Sequence, residues 1–260
     1  MIAVRDITAT AGAKTLLEGI NAEFLPGKMN LIVGPNGAGK SSLIKILCKQ
    51  LKPQTGSVSF DGLDATGISL ESFAKFRAVL SQNIDMAFPL TVEEVVMMGR
   101  YPHFVGKPGP HDIQAVKEAM ALFDVIDFRD RNYLTLSGGE RQRVHFARVM
   151  SQIWYPEEGK SRYLLLDEPL TFLDVHYQFA FMHQLRQLLS QSSLVIVGVV
   201  HDLNLASRFA DHILLLHQGK VLSAGAPSSV LTTEHVKQAF QLEPLIYENA
   251  KSGGRYLFFE

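Results

Sequence analysis

Met29-Asn30-Leu31-Ile32-Val33-Gly34-Pro35-Asn36-Gly37-Ala38-Gly39-Lys40-Ser41 is the stretch on which the reading of this chain turns. An apolar segment runs into G-x-x-x-x-G-K-[ST], and then into a helix expected to carry Leu43, Ile44, Leu47 and Leu51 on one face. Glycines let successive backbone N–H groups turn inward around an anion, at the start of a helix whose first N–H groups also lack intrahelical partners. Lys40 adds a point charge for β- and γ-phosphates, and Ser41 offers a hydroxyl to Mg²⁺. The strand–loop–helix context separates this pattern from a glycine-rich turn before an ordinary helix. It predicts an α/β nucleotide-binding core with Gly34, Pro35, Asn36, Gly37, Ala38, Gly39, Lys40, Ser41 and Ser42 around the phosphates.

Working outward, residues 2 to 60 read as short alternating segments punctuated by Gly12, Pro26-Gly27 and Thr55-Gly56, a β-rich N-terminal layer. From about Asn83 to Met150 the period becomes helical, with Val92, Val95, Val96 and Gly99, then Ile113, Val116, Met120 and Phe123, then Val144, Ala147 and Arg148. Tyr101 to Pro110, rich in Pro and Gly, reads as a loop within it. After Tyr163, strands and helices alternate, which implies right-handed crossovers and a mainly parallel sheet. The expected organisation is one domain over 1–260. Residues 1–82 and 151–260 would form the core with its β layer, and about 83–150 an inserted helical subdomain.

Leu164-Leu165-Leu166-Asp167-Glu168-Pro169 is a buried-strand pattern ending in two carboxylates. Asp167 can hold Mg²⁺ through a water, while Glu168, one residue on, points elsewhere and can polarise a water aligned with the γ-phosphate. Gln82 follows Ala78-Val79-Leu80, and His201 follows Val197-Gly198-Val199-Val200. Both fall beyond carboxyl ends of strands, where ligands of parallel sheets bind. His201 could donate to the phosphate, and Gln82 could touch metal and water. A second anion site is signalled by Leu136-Ser137-Gly138-Gly139-Glu140, where two glycines behind a serine open an apolar-striped helix.

A net charge of −1 leaves no electrostatic footprint for nucleic acid or anionic lipid. The single cysteine, Cys48, cannot form an internal disulfide, which fits a reducing compartment. No secretory signal is evident, and the longest apolar run, Leu194 to Val200, is too short to cross a bilayer. A protein soluble by itself is expected.

In order, the phosphate loop, Gln82, Leu136 to Gln142, Asp167-Glu168, Leu173-Asp174 and His201 make the chain resemble an ATP-binding cassette (ABC) ATPase over essentially its full length. The resemblance implies the ABC ATPase fold: a P-loop NTPase core, an N-terminal antiparallel β subdomain and an inserted α-helical subdomain. It implies ATP and Mg²⁺ as cofactors, with Ser41, Gln82 and Asp167 at the metal and Glu168, Gln82 and His201 at the chemistry. It also implies that two cassettes stack head to tail as a homodimer. Ser137, Gly138, Gly139 and Glu140, with Asp174, of one subunit would then complete the ATP site on its partner's phosphate loop. The pattern departs at Ala11, where cassettes carry an aromatic stacked on adenine, and at Leu170 and Phe172, which stand where small or hydroxyl residues are common.

Phe88 to Val96, Gly99 to His103 and the long Ile153–Lys160 connection are similar to importers of iron chelates, haem and cobalamin, the connection most of all to the haem branch. That branch implies two copies of a membrane permease, a periplasmic haem-binding protein acting indirectly, and a peripheral position on the cytoplasmic face of the bacterial inner membrane. Nucleic acid is not an expected partner. The segment with Met86, Phe88, Leu90, Met97 and Met98 would help line a groove for a permease helix. The nine histidines, His103, His176 and His183 among them, read as surface or capping residues. A soluble cassette acting on ribosomes or DNA would need a second cassette or a long coiled-coil insertion, and a P-loop kinase or switch GTPase would lack the Leu136–Gln142 element.

Overall fold

A computed structural model of the chain describes residues 1–81, 88–156, 159–171, 173–190, 193–248 and 255–259. Two compact units emerge, one of Met1–Gly67 with Val195–Glu260 and one of Ile68–Leu194. In chain order the first opens with β1 (Ile2–Ala11), β2 (Lys14–Phe24), β3 (Met29–Val33), α1 (Lys40–Leu47), β4 (Thr55–Phe60) and β5 (Leu63–Asp64). The second holds α2 (Leu70–Phe76), β6 (Arg77–Leu80), α3 (Val92–Met97), α4 (Pro110–Leu122), α5 (Gly138–Gln152), β7 (Arg162–Leu166) and α6 (Val175–Ser190). The chain then returns to the first through β8 (Leu194–Val199), α7 (Leu203–Phe209), β9 (His212–His217), β10 (Lys220–Gly225), α8 (Pro227–Val230), α9 (Thr233–Phe240), β11 (Leu245–Glu248) and β12 (Arg255–Phe258).

The expected N-terminal layer is the antiparallel sheet β2-β1-β4-β5. In β1 the fully buried side chains run Ile2, Val4, then Ile7 and Ala9, with Ala3 also buried, so the alternation changes phase at Arg5-Asp6. The register shifts at that point and Asp6 takes φ +48°, the signature of a bulge that returns Ile7 to the inner face. In the first unit, β3 lies between β8 and β9, parallel to both, and β10 adds an antiparallel edge. Every residue of β3 and β8 is buried; β8 is an unbroken apolar run, and the one polar residue of β3, Asn30, is satisfied by the carbonyls of Leu25, Lys28 and Ile196. In the second unit β6 and β7 pair in parallel. The mainly parallel core, antiparallel N-terminal sheet and helical insert agree with the expected fold class.

Three local expectations are corrected. α1 stops at Leu47 with Cys48 as its cap, and Lys49 at φ +61° turns the chain away, so Leu51 lies off the helix. Ile113 is half exposed, because α4 turns Asp112, Ala115, Val116, Ala119 and Met120 inward instead. Asp112 can be there because Arg100 and the Gly109 N–H satisfy its two oxygens at 2.9 Å each. The expected loop from Tyr101 is partly ordered: Met98–His103 is a 3-10 turn and Pro110 is the first residue of α4, where its missing N–H costs nothing. His103 is half buried and agrees with the capping reading, its Nε2 2.7 Å from the carbonyl of Gln152 at the end of α5; burial, and then the nearby Arg100 charge, lower its pKa. α2, capped by Ser69, has no counterpart in the sequence reading. Among the described residues no helix is long and apolar enough to cross a membrane.

Candidate nucleotide-binding site

β3 delivers the chain into the phosphate loop. A Cβ on Gly34, at φ +151°, would lie 2.2 Å from the Leu216 carbonyl oxygen. At Gly39, φ +103°, it would meet Leu17 Cδ2 at 2.6 Å and the Leu16 carbonyl at 2.7 Å. Neighbouring backbone thus forces glycine at both ends of the loop. Lys40 is buried, and its Nζ donates to the carbonyls of Gly34 at 2.8 Å and Pro35 at 2.9 Å. The ammonium is therefore held across the loop it follows. Asn36 and Gly37 are exposed, while Ser41 and Ser42 are half buried on the first turn of α1. Ala11 is exposed at the tip of the β1–β2 hairpin, paired with Lys14, and offers only a methyl group.

His201 leaves the strand beside β3. Ile32 is in register with Val199, and the Val200 N–H continues the ladder to the Ile32 carbonyl at 3.2 Å. His201 and Gly34 thus emerge from the carboxyl ends of neighbouring parallel strands, as the sequence implied. Asp202 then caps α7, its Oδ1 accepting from the N–H groups of Asn204 and Leu205.

The second unit carries the acidic pair and the glycine pair. Asp167 is buried at the end of β7, its N–H donating to the Leu80 carbonyl of β6 at 2.9 Å. Glu168 is half buried and sits at φ +52°, a left-handed conformation that costs a non-glycine residue on the order of 1 kcal/mol or more. The following loop is tied down side chain by side chain. Thr171 Oγ1 donates to the Glu168 carbonyl at 3.0 Å, Gln142 Nε2 to Pro169 at 2.7 Å, and Gln178 Nε2 to Leu170 at 3.3 Å and Leu173 at 3.0 Å. Asp174 accepts from the Tyr177 N–H and so caps α6. Gln82, Met86 and Phe172 lie outside the described residues.

Ser137 caps α5 in a reciprocal box: its Oγ accepts from the Glu140 N–H at 3.3 Å, and Glu140 Oε2 accepts from the Ser137 N–H at 2.7 Å. The bonds from Ser137, with Arg131 close by, hold the Glu140 carboxyl below the usual carboxylate range. Because Ser137 Oγ serves as acceptor, its own proton can point outward from an exposed position. A Cβ at Gly138 would meet nothing within 4 Å. Among the described residues no packing demands glycine there, and its effect is to leave the helix end open to approach. Gln142 stands out in sequence only as part of the Leu136–Gln142 element, while Gln178 and a buried Tyr133–His145 pair carry no signal in the sequence pattern. Only the burial of 144–147 on α5 could have singled out His145.

Residues 17–171 match the model of the ABC transporter family. The chain is 44% identical to the hemin import ATP-binding protein HmuV of Gloeobacter violaceus, across 97% of this chain and 92% of that protein. It is 42% identical to the protein of the same name from Pseudomonas aeruginosa, across 97% of each. A solved ABC transporter in an inward-facing conformation superposes with a TM-score of 0.83 at 23% identity, covering 100% of this chain and 96% of that one, a likeness of fold. The dimeric structure of a bacterial ABC transporter cassette gives 0.75 at 25% identity, covering 87% and 99%. With a phosphate loop at the end of β3, an acidic pair at the end of β7 and an open, serine-capped helix at Gly138, the chain belongs to the ABC transporter family as an ATP-binding subunit.

Proposed function

We propose that this subunit hydrolyses ATP to drive uptake of haem through a separate permease. The observation that carries the reading is near full-length identity above 40% to two proteins named for hemin import. Two subunits stack head to tail on two permease copies at the cytoplasmic face of the inner membrane, peripherally bound. A periplasmic haem-binding protein delivers the cargo, and nucleic acid plays no part. Residues 83–150 are the helical subdomain in this proposal, and Phe88, 72% exposed, is one of its contacts with the permease.

The phosphate loop from Gly34 to Ser42 cradles the ATP phosphates, and Lys40 exchanges its carbonyl partners for phosphate oxygens. Ser137 and the N–H groups of Gly138 and Gly139, with Glu140 bracing the cap and Asp174 near the seam, complete the site of the partner subunit. Glu168 orients and polarises the attacking water, and its left-handed backbone re-aims the carboxylate relative to the strand. His201 donates to the γ-phosphate, and Gln82 senses it.

The donor set fits Mg²⁺: a hydroxyl on Ser41, the carboxylate of Asp167 and the amide of Gln82 are hard oxygen ligands. An ion held mainly by phosphates and water needs few protein ligands. Bound there, Mg²⁺ would neutralise charge on the β- and γ-phosphates.

Glu168→Gln tests the catalytic part. It should bind ATP, accumulate as an ATP-bound dimer in gel filtration, and lose about 100-fold or more in turnover. Near-normal turnover would remove Glu168 as the base.

A further inference from the structure

We propose that Tyr133 and His145 form a positioning latch for the Leu136–Glu140 loop, so that the hydrogen bond between them governs how well one subunit completes its partner's ATP site. The inference rests on the reading above that this loop acts across a dimer.

Tyr133 and His145 are 3% and 4% exposed. Tyr133 Oη lies 2.7 Å from His145 Nε2, and the rings meet edge to face at 5.4 Å. His145 stands eight residues beyond Ser137 on α5, about 12 Å along the axis, so the contact reaches well past the capping box. At its other end the approach to the loop is fixed through main chain. The Tyr133 N–H donates to Leu90 at 2.8 Å, Asn132 bridges to Thr91, and the Leu136 N–H donates back to Tyr133 at 3.2 Å. Arg141 braces the remaining turn, with Nη2 2.6 Å from the Leu134 carbonyl and its guanidinium over the Tyr133 ring at 5.5 Å. The exposed cap at Ser137 therefore inherits its position from segment 132–136, whose buried Tyr133 and Leu136 hold it, with Tyr133 adding a hydrogen bond into α5.

Packing alone does not explain this choice of residues. Position 145 lies in the buried run 144–147, where an aliphatic or aromatic side chain would fill the space without needing a partner. Instead the imidazole is buried, and its Nδ1 has no hydrogen-bond partner among the described residues. Burying a polar ring that is only half satisfied is unfavourable. What the pair provides in return is direction, since a hydrogen bond fixes the tyrosine along one line where apolar contact would let it slide.

Mixed dimers assembled from differently tagged chains test the latch. Lys40→Ala silences one phosphate loop, so only one composite site remains. When Tyr133→Phe is placed on the chain that keeps the live phosphate loop, the working site uses a normal loop from its partner, and hydrolysis should match the control. When it is placed on the Lys40→Ala chain, the live site faces the altered loop, and turnover should fall about tenfold, as a displacement of a fraction of an ångström would cause. ATP binding by the separate chains should not change. The double variant Tyr133→Phe/His145→Phe removes both polar groups. It should keep the unfolding midpoint near that of the wild type while retaining the one-sided defect, and His145→Gln should recover most of the activity. Equal activity, or equal loss, in the two arrangements would overturn the proposal. Ser137→Arg run in the same two arrangements is the control. If it too shows no asymmetry, the shared-site reading fails and the latch with it. If it is fully asymmetric and Tyr133→Phe is not, the latch alone is refuted.

Discussion

Removing the carboxylate of Asp112 exposes how the helical part of the second unit is held. Arg100 and Asp112 are both nearly buried, with Nε 2.9 Å from Oδ1. Arg100 Nη1 donates to the Ser151 carbonyl at 2.7 Å, and Asp112 Oδ2 accepts from the Gly109 N–H at 2.9 Å. One ion pair thus ties the 3-10 turn at Met98–His103, the start of α4 and the end of α5. Asp112→Ala leaves a buried guanidinium unpaired and an N-terminal N–H uncapped. The first costs about 3–5 kcal/mol and the second about 1 kcal/mol. For a chain of this size, 4 kcal/mol corresponds to a melting point lower by roughly 8–16 °C. Calorimetry or thermal denaturation with ATP absent reads this directly. Arg100→Met/Asp112→Leu, which removes both charges, should recover most of the loss. A melting point within about 2 °C of wild type for Asp112→Ala would refute the reasoning, since it would mean that Arg100 remains solvated.

Gly34→Ala should weaken ATP binding about tenfold or more, because the new Cβ cannot coexist with the Leu216 carbonyl 2.2 Å away and the loop must shift. Titration with a fluorescent ATP analogue checks it, and unchanged affinity would contradict the steric account. Gly99→Ala should destabilise the second unit, since its Cβ would lie 2.1 Å from the Arg148 carbonyl. An unaltered melting point would count against that packing. Burial, with Arg148 and Arg141 nearby, pushes the His145 pKa down to about 3 from 6.5. The folded state therefore disfavours the proton that the unfolded chain accepts. The His145 contribution is complete above pH 6.5 and is lost as pH falls toward 3, amounting to about 2 kcal/mol by pH 5. His145→Gln should flatten that part of the pH–stability curve, and an identical slope in the variant would oppose it.

The parts of the fold that were legible in sequence were those written locally. Strand β8 announces itself as an unbroken apolar run and β3 as one broken only by Asn30, and the phosphate loop sits between β3 and a helix as its pattern requires. The inward turn of Asp112 was not legible, because it depends on Arg100 twelve residues earlier, and a periodicity count sees only the misplaced Ile113. The motif residues of the candidate site could be nominated from their types, their spacing and the family they resemble. The glutamines that fasten the loop after Glu168 could not, because Gln142 and Gln178 reach backbone carbonyls from other elements. The Tyr133–His145 pair was hidden among nine histidines that looked alike in sequence. Gly138 is the reverse case: its glycine was legible, and the open space around it gives that glycine a reason only if something approaches from outside.

The most direct test of the account reconstitutes this subunit with its permease in lipid vesicles and measures ATP hydrolysis as candidate binding proteins are added. A haem-loaded binding protein should accelerate hydrolysis well above the ligand-free protein, with haem appearing on the far side of the membrane. Both responses should vanish in Glu168→Gln. Stimulation by a siderophore-loaded or cobalamin-loaded protein, with none from the haem-loaded one, would contradict the assignment.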